Sequence, residues 1–295
     1  MKKQLFINCL AIGMVAWLGT NTQAQTISQT FTTTTIGWVV PANVYQIYVE
    51  AWGAGGGGAP TDGPFVAPGG GGGGAYAKSL IAVTPGQAMD IEVGVGGTGG
   101  QPTASDGGNS WVIDPSVFLA EGGKAGDHGP TYGLLSSPGP GGDGGSGGSA
   151  LASLGNIAVY SGGDGAQGFW SLAGGYGGGG GSVAGDAAAG VSATDRLGAN
   201  GPLSPDGDGG DGATYGNNGD PGIFPGGGGG AGRGFQPLIP PGPAETRDGG
   251  DGADGLVIIT YTPTDPMAVP ISSWALFIGI GLIATFMFVR FRNMA

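Results

Sequence analysis

Gly139-Pro140-Gly141, Gly142-Asp143-Gly144, Gly145-Ser146-Gly147 and Gly148-Ser149-Ala150 run on as consecutive triplets that each open on glycine. Gly207-Asp208-Gly209 and Gly210-Asp211-Gly212 repeat the pattern. A period of three suits a left-handed extended helix with three residues per turn, in which every non-glycine side chain falls on one edge. The other two edges are bare, so neighbouring segments can approach closely. Such a helix has no internal hydrogen bonds, and its buried N–H and C=O groups must pair between helices. Lateral bonding then has to offset an ordering cost of ~1–2 kcal/mol per residue, larger for glycine.

Strand signals stand on both sides of this interior. In Val44-Tyr45-Gln46-Ile47-Tyr48-Val49-Glu50-Ala51-Trp52, Tyr45, Ile47, Val49 and Ala51 share one face and Gln46 and Glu50 the other. This is the two-residue period of a half-buried strand. Met89, Ile91 and Val93 alternate with Asp90 and Glu92 in the same way, after a turn at Thr84-Pro85-Gly86-Gln87. Residues 75–83 and 30–35 read as further strands, and Leu256-Val257-Ile258-Ile259-Thr260-Tyr261 as a β-branched closing strand. Strands at both borders imply that the first and last segments pair and close one unit. The expected fold is therefore all-β, a β-sandwich-like framework carrying packed polyglycine helices over residues 25–262.

Composition alone argues otherwise. Of 295 residues 72 are Gly and 21 are Pro, a level at which low complexity or disorder is the first expectation. Solvating linkers lack aromatics, whereas Trp111, Val112, Phe118, Leu119, Val159, Tyr160, Phe169, Trp170 and Phe224 are scattered among these glycines. Collagen needs a long unbroken triplet register and three chains, and no repeat of 20–50 residues recurs. An ordered domain is the expectation that remains.

Charge narrows the partners. Nine Lys plus Arg against 21 Asp plus Glu give −12, which excludes a nucleic-acid binder built on neutralising phosphates. Between the terminal segments the cations are Lys78, Lys124, Arg196, Arg233 and Arg247, leaving about −16 there, enough to oppose self-collapse.

Little catalytic chemistry is visible. His128, the only histidine, sits in Gly126-Asp127-His128-Gly129 with no Gly-x-Ser-x-Gly nearby, and one histidine makes no zinc pair. Cys9, the only cysteine, lies in the N-terminal segment. Paired aspartates for glycoside cleavage would have to come from flexible Gly-Asp-Gly loops. Gly249-Gly250-Asp251-Gly252-Ala253-Asp254-Gly255-Leu256-Val257 matches one nonapeptide of the calcium-binding β-helix type, a motif that works in tandem. Asp248, Asp251 and Asp254 are the calcium candidates, and acidic turn residues that keep a glycine-rich surface soluble are the alternative. No catalytic residue and no cofactor is expected.

The ends point to export. Lys2 and Lys3, the apolar run from Leu5 to Leu18 and polar residues up to Ala24 form a signal peptide over 1–24, cut between Ala24 and Gln25. Its partners would be the Sec translocon and signal peptidase; a retained anchor is the rival reading. Residues 263–270 form a linker and sorting motif. Residues 271–289 are apolar and long enough for a transmembrane helix, and Arg290 and Arg292 make 290–295 a basic cytoplasmic tail.

Val269-Pro270-Ile271-Ser272-Ser273-Trp274, the apolar span and Arg290-Phe291-Arg292 resemble the tripartite sorting signals of the PEP-CTERM and IPTL-CTERM kind, although Pro-Glu-Pro is absent. That resemblance implies an exosortase-type sorting protease as partner and delivery to the outer surface or matrix of a Gram-negative cell. A plain single-pass anchor is the alternative. A second resemblance rests on Thr30-Phe31-Thr32-Thr33, Trp38-Val39-Val40-Pro41, the run from Val49 to Gly58, Gly70 to Tyr76, Val83 to Gln87, Val93 to Gly97 and Gly255 to Ile259. In that order they are similar to the glycine-rich domain of bacterial surface proteins and phage tail adhesins. It implies a β-sandwich with packed polyglycine helices and a role in binding or adhesion. Trp111, Tyr132, Tyr160, Trp170, Tyr176, Tyr215 and Phe235 are the aromatics able to stack on a glycan or surface-protein ligand, while for each one singly core packing is the expected job. The expected function is that of an exported, non-enzymatic cell-surface or extracellular-matrix protein. A passive coat or stalk and a polysaccharide hydrolase using paired Asp residues are the alternatives.

Overall fold

The computed structural model describes residues 25–133, 136–171, 175–202, 207–214, 217–235 and 244–264, with Gly281 and Arg290. The chain divides into two units. One is Thr26–Thr262; the other comprises Met1–Gln25 and Pro263–Ala295, of which few residues are described. The signal peptide over 1–24, the sorting motif, the span over 271–289 and the basic tail fall outside the described residues, save Gly281 and Arg290.

The strands are β1 (Ile27–Phe31), β2 (Thr35–Val39), β3 (Gln46–Trp52), β4 (Tyr76–Ala82), β5 (Ala88–Glu92), β6 (Ser110–Val112), β7 (Leu119–Ala120), β8 (Gly139–Pro140), β9 (Ala158–Tyr160), β10 (Phe169–Trp170) and β11 (Leu256–Tyr261). They form antiparallel sheets in the orders β1-β11-β3-β4-β9, β2-β5-β6-β7 and β10-β8. Alternation decides the core. Ile47, Val49 and Ala51 of β3 and Val257 and Ile259 of β11 meet Met89 and Ile91 of β5, Val112 of β6 and Phe118 in one buried cluster. Each large side chain so buried contributes ~1.5–3 kcal/mol. Tyr45, one residue before β3, is exposed instead of sharing that face.

The β4–β5 connection is a type II turn. The Gln87 amide donates to the Thr84 carbonyl at 2.9 Å, Pro85 precedes Gly86, and Gly86 takes φ +84. The expected strand over 30–35 is corrected, because β1 ends at Phe31 and β2 begins in another sheet at Thr35. Thr32, Thr33 and Thr34 favour extended backbone on either side of that break, so propensity does not mark it. The first and last strands do pair, from Ile27 with Tyr261 to Phe31 with Val257. Just beyond, the Thr26 and Thr262 hydroxyls lie 3.0 Å apart.

The glycine-rich segments prolong these strands: β3 runs into 53–59, 69–75 into β4, β7 into 121–127, β9 into 161–166 and 247–255 into β11. Their amides choose partners in rotation. The N–H groups of Gly53, Gly56 and Ala59 donate to the carbonyls of Ala75, Gly72 and Gly69; those of Ala54 and Gly57 to Gly108 and Ser105; those of Gly55 and Gly58 to Ala253 and Gly250. Residues 69–75 are buried throughout and enclosed on all sides. They donate to 121–127, 163–166 and 226–229, and accept from 53–59, 145–148 and 181–184. Every buried peptide group along this run is thereby satisfied, which a structureless chain could not achieve.

Packing at this distance is what requires glycine. A Cβ on Gly71 would stand 2.1 Å from the Gly56 carbonyl oxygen, and one on Gly73 2.0 Å from that of Ser182. Where the triplets run along the outside, exposure follows their period: Asp143 and Ser146 are exposed while Gly142, Gly145 and Gly148 are buried.

Two parts of the expected fold class are corrected. Among the described residues of Thr26–Thr262 no helix occurs. The segments expected as polyglycine helices are not helical elements, whereas the expected bonding between segments, with none internal, is what orders them. For the C-terminal transmembrane helix, among the described residues no helix is long and apolar enough to cross a membrane.

Candidate binding end

Because β3 leads outward into 53–59 and 69–75 returns to β4, the loop between them lies at the end of the unit remote from Thr26 and Thr262. From Gln46 to Ala59 the distance is roughly 42 Å at ~3.2 Å per extended residue. The loops after 121–127, 161–166 and 226–232 reach the same end, since Asp127 accepts from Gly69, Ala166 accepts from Gly70 and Gly232 donates to Ala59.

The loop after Ala59 organises this end. Thr61 is fully buried; its amide donates to the Arg247 carbonyl and its hydroxyl accepts from the Arg247 amide, both at 3.3 Å. The Gln101 side-chain amide donates to the Thr61 carbonyl. Asp62 meets the His128 ring at 2.8 Å, and the other ring nitrogen lies 3.1 Å from the Gly129 carbonyl.

Phe65 takes φ 67, a left-handed conformation that is an outlier for a bulky residue and is held only by its surroundings. Its carbonyl accepts from the Tyr132 amide at 3.0 Å. Its ring meets Trp170 edge-on at 5.4 Å, and Tyr132 stacks on Trp170 at 5.9 Å with 16° between planes. The Tyr132 hydroxyl donates to the Pro140 carbonyl. Trp170 is 2% exposed, and its indole N–H has no hydrogen-bond partner among the described residues.

Next to this cluster, the Gly234 amide donates to the Val66 carbonyl at 2.9 Å. The Arg233 guanidinium lies 5.0 Å over the Phe235 ring. Phe235 and Glu245 exchange both backbone hydrogen bonds, at 2.9 and 2.7 Å, and Arg247 pairs with Glu245 at 3.0 Å. Burial holds the Arg233 pKa below its ordinary value, with Glu245 opposing.

The expected display aromatics are thus largely engaged in packing. Trp170 is buried, Tyr160 stacks on Tyr76 at 6.1 Å and Tyr176 packs on Phe169 at 5.9 Å. Trp111 is half-buried in β6, and Tyr215 lies outside the described residues. Phe65 and Asp62 escaped the sequence reading. The signal that could have found Phe65 is an aromatic after Gly63-Pro64, set between two homoglycine runs.

The calcium candidates sit along one outer segment. Asp251 and Asp254 accept the amides of Gly99 and Gly96, each at 2.7 Å, and the Asp248 carbonyl accepts that of Gly219 at 3.0 Å. Asp211, Asp164 and Asp106 serve the amides of Gly198, Gly147 and Ala125 likewise, at 2.8, 2.8 and 2.9 Å. These carboxylates complete amides at the rim of the bundle. Among the described residues no group of three His, Cys, Asp or Glu side chains could hold a metal ion.

Midway along the unit, where 69–75 enters β4, Tyr76 is fully buried and donates to Glu50 at 2.7 Å, with Lys78 3.0 Å from the same carboxylate. Burial first, and then Glu50, push the Tyr76 pKa well above its ordinary value. The Asp114 carboxyl is held below its ordinary value by the Ser116 hydroxyl and amide. Of the processing and sorting residues, Gln25 and Arg290 are exposed, while Ala24, Val269, Pro270, Ile271, Trp274 and Arg292 lie outside the described residues.

The family of glycine-rich domains matches the chain over residues 30–262. Among curated proteins none matches.

Proposed function

The chain belongs to the glycine-rich domain family, and from that premise we propose a non-enzymatic, exported protein of the cell surface or extracellular matrix that adheres through the loops around Phe65, Tyr132 and Phe235. The observation that carries this reading is the polarity of the unit: Thr26 and Thr262 are joined at one end, and the strained, aromatic loops stand at the other. An inflexible spacer between attachment and recognition lowers the entropy lost on binding. Export and sorting through the terminal segments belong to the same proposal and rest on the sequence patterns alone.

The test is a glycan and surface-protein array probed with the purified full chain, followed by Tyr132→Ala and Phe65→Gly. A ligand captured by the parent chain and lost in both variants, at unchanged Tm, is the expected result. Capture that survives both variants removes the distal loops from recognition. A second reading, a passive coat, is favoured by one observation, the burial of Trp170 beneath Phe65 and Tyr132. An array with no captured ligand decides for it.

A further inference from the structure

The cations of the glycine-rich unit are not equivalent. Lys78 pairs with Glu50, Lys124 with Asp106 and Glu121, Arg196 with Asp211 and Arg247 with Glu245. Arg233 alone, among the described residues of Thr26–Thr262, has no carboxylate at ion-pair distance. Its guanidinium is held over the Phe235 ring instead, half-buried and beside the strained loop that carries Phe65. A guanidinium partly withdrawn from water, held over a ring face and influenced by Glu245 without an ion-pair contact to it, retains its capacity for a bidentate pair. Across the rest of the unit exposed aspartates line the rim and the other cations are paired with carboxylates, so an anionic polymer meets its least opposed cation at Arg233.

From the Arg233 site we propose that the distal end takes a carboxylated polysaccharide, with a uronate-type carboxylate received by Arg233 and sugar rings lying against the neighbouring aromatic side chains; this rests on the reading of the distal loops as the binding end. A peptide adding as a strand would need an open edge, and here the backbone groups of Phe235 and Glu245 are already bonded to each other.

Binding of alginate oligomers to the full chain tests this. Arg233→Ala is expected to weaken binding about 10- to 100-fold, the range for loss of a charge-assisted hydrogen bond. Arg233→Lys should fall between, and Arg196→Ala should bind as the parent does, all at unchanged Tm. Raising salt from low to molar concentration should weaken the parent and leave Arg233→Ala nearly unaffected. Unchanged binding by Arg233→Ala overturns the proposal. So does equal affinity for polyglutamate, which would assign the site to acidic peptides. Equal affinity for carboxyl-reduced alginate overturns it too, yet if that binding is lost in Tyr132→Ala the distal end remains the binding end.

Discussion

A Cβ placed on Gly71 would lie 2.1 Å from the carbonyl oxygen of Gly56, a neighbour that is main chain and bonded on its own account. No rotamer change relieves such an overlap; the two segments must part. Gly71→Ala is therefore expected to cost more than about 4 kcal/mol, in the range reserved for disrupted cores. Gly63→Ala, with nothing within 4 Å, should leave Tm unchanged. Gly86→Ala, which also meets nothing but sits at φ +84, should cost only the ~1–2 kcal/mol of a left-handed L-residue. Urea melts of the three variants rank them, and equal losses would refute the close-packing account.

The rim aspartates make a separate prediction. Asp251→Asn keeps an oxygen for the Gly99 amide and should melt with the parent. Asp251→Ala leaves that amide without its acceptor and is expected to cost ~1–2 kcal/mol. Because these carboxylates serve amides, chelating divalent cations with EDTA should not move Tm. A fall on chelation, restored by calcium, would assign Asp248, Asp251 and Asp254 to metal instead.

Alkaline pH tests the buried tyrosine. Tyr76 holds its proton in the folded state well above the ordinary value of 10.0, whereas the unfolded chain releases it near that value. The unfolded state then binds fewer protons than the folded one, so stability is full below pH ~10 and declines as pH rises through it. Tyr76→Phe should show a shallower decline from about pH 10 upward, and one tyrosine of the parent should ionise only on unfolding, as followed by absorbance near 295 nm. Identical alkaline profiles would contradict this.

Calorimetry addresses the bundle as a whole. Unfolding the 53–59 and 69–75 segments exposes peptide groups with almost no apolar side chain, and polar exposure lowers the heat capacity while apolar exposure raises it. The heat-capacity increment is expected below the usual ~12–15 cal/mol/K per residue, with a correspondingly flat stability curve. An ordinary increment would mean that the two-sheet core around Ile47 and Ile91 dominates.

How much of this was legible varied with how much side chain each segment carried. β11 could be read to the residue because Leu256 to Tyr261 is a β-branched run after glycine; β3 could be read from Gln46 onward because Ile47, Val49 and Ala51 alternate with less apolar residues, while its start and the exposure of Tyr45 could not. The outer triplets showed their exposed edge through Asp143 and Ser146. The central run 69–74 gave no such phase, since six consecutive glycines carry no pattern to read, and which segment each amide meets is set by main chain common to all of them. Trp170 reads as a buried-type aromatic, but not what buries it: glycine neighbours leave it no periodic context, and Phe65 and Tyr132, which pack on it, are distant in sequence. The conformation of Phe65 follows from packing alone.

The joining of Thr26 to Thr262 also decides how the unit answers a mechanical load. Tension between those two points would peel β1 from β11 one rung at a time. Tension between the distal loops and residue 262 pulls along β11, and its hydrogen bonds to β1 and β3 then resist together in shear. The same domain is soft when its ends are drawn apart and stiff when something gripped at its far end is pulled away.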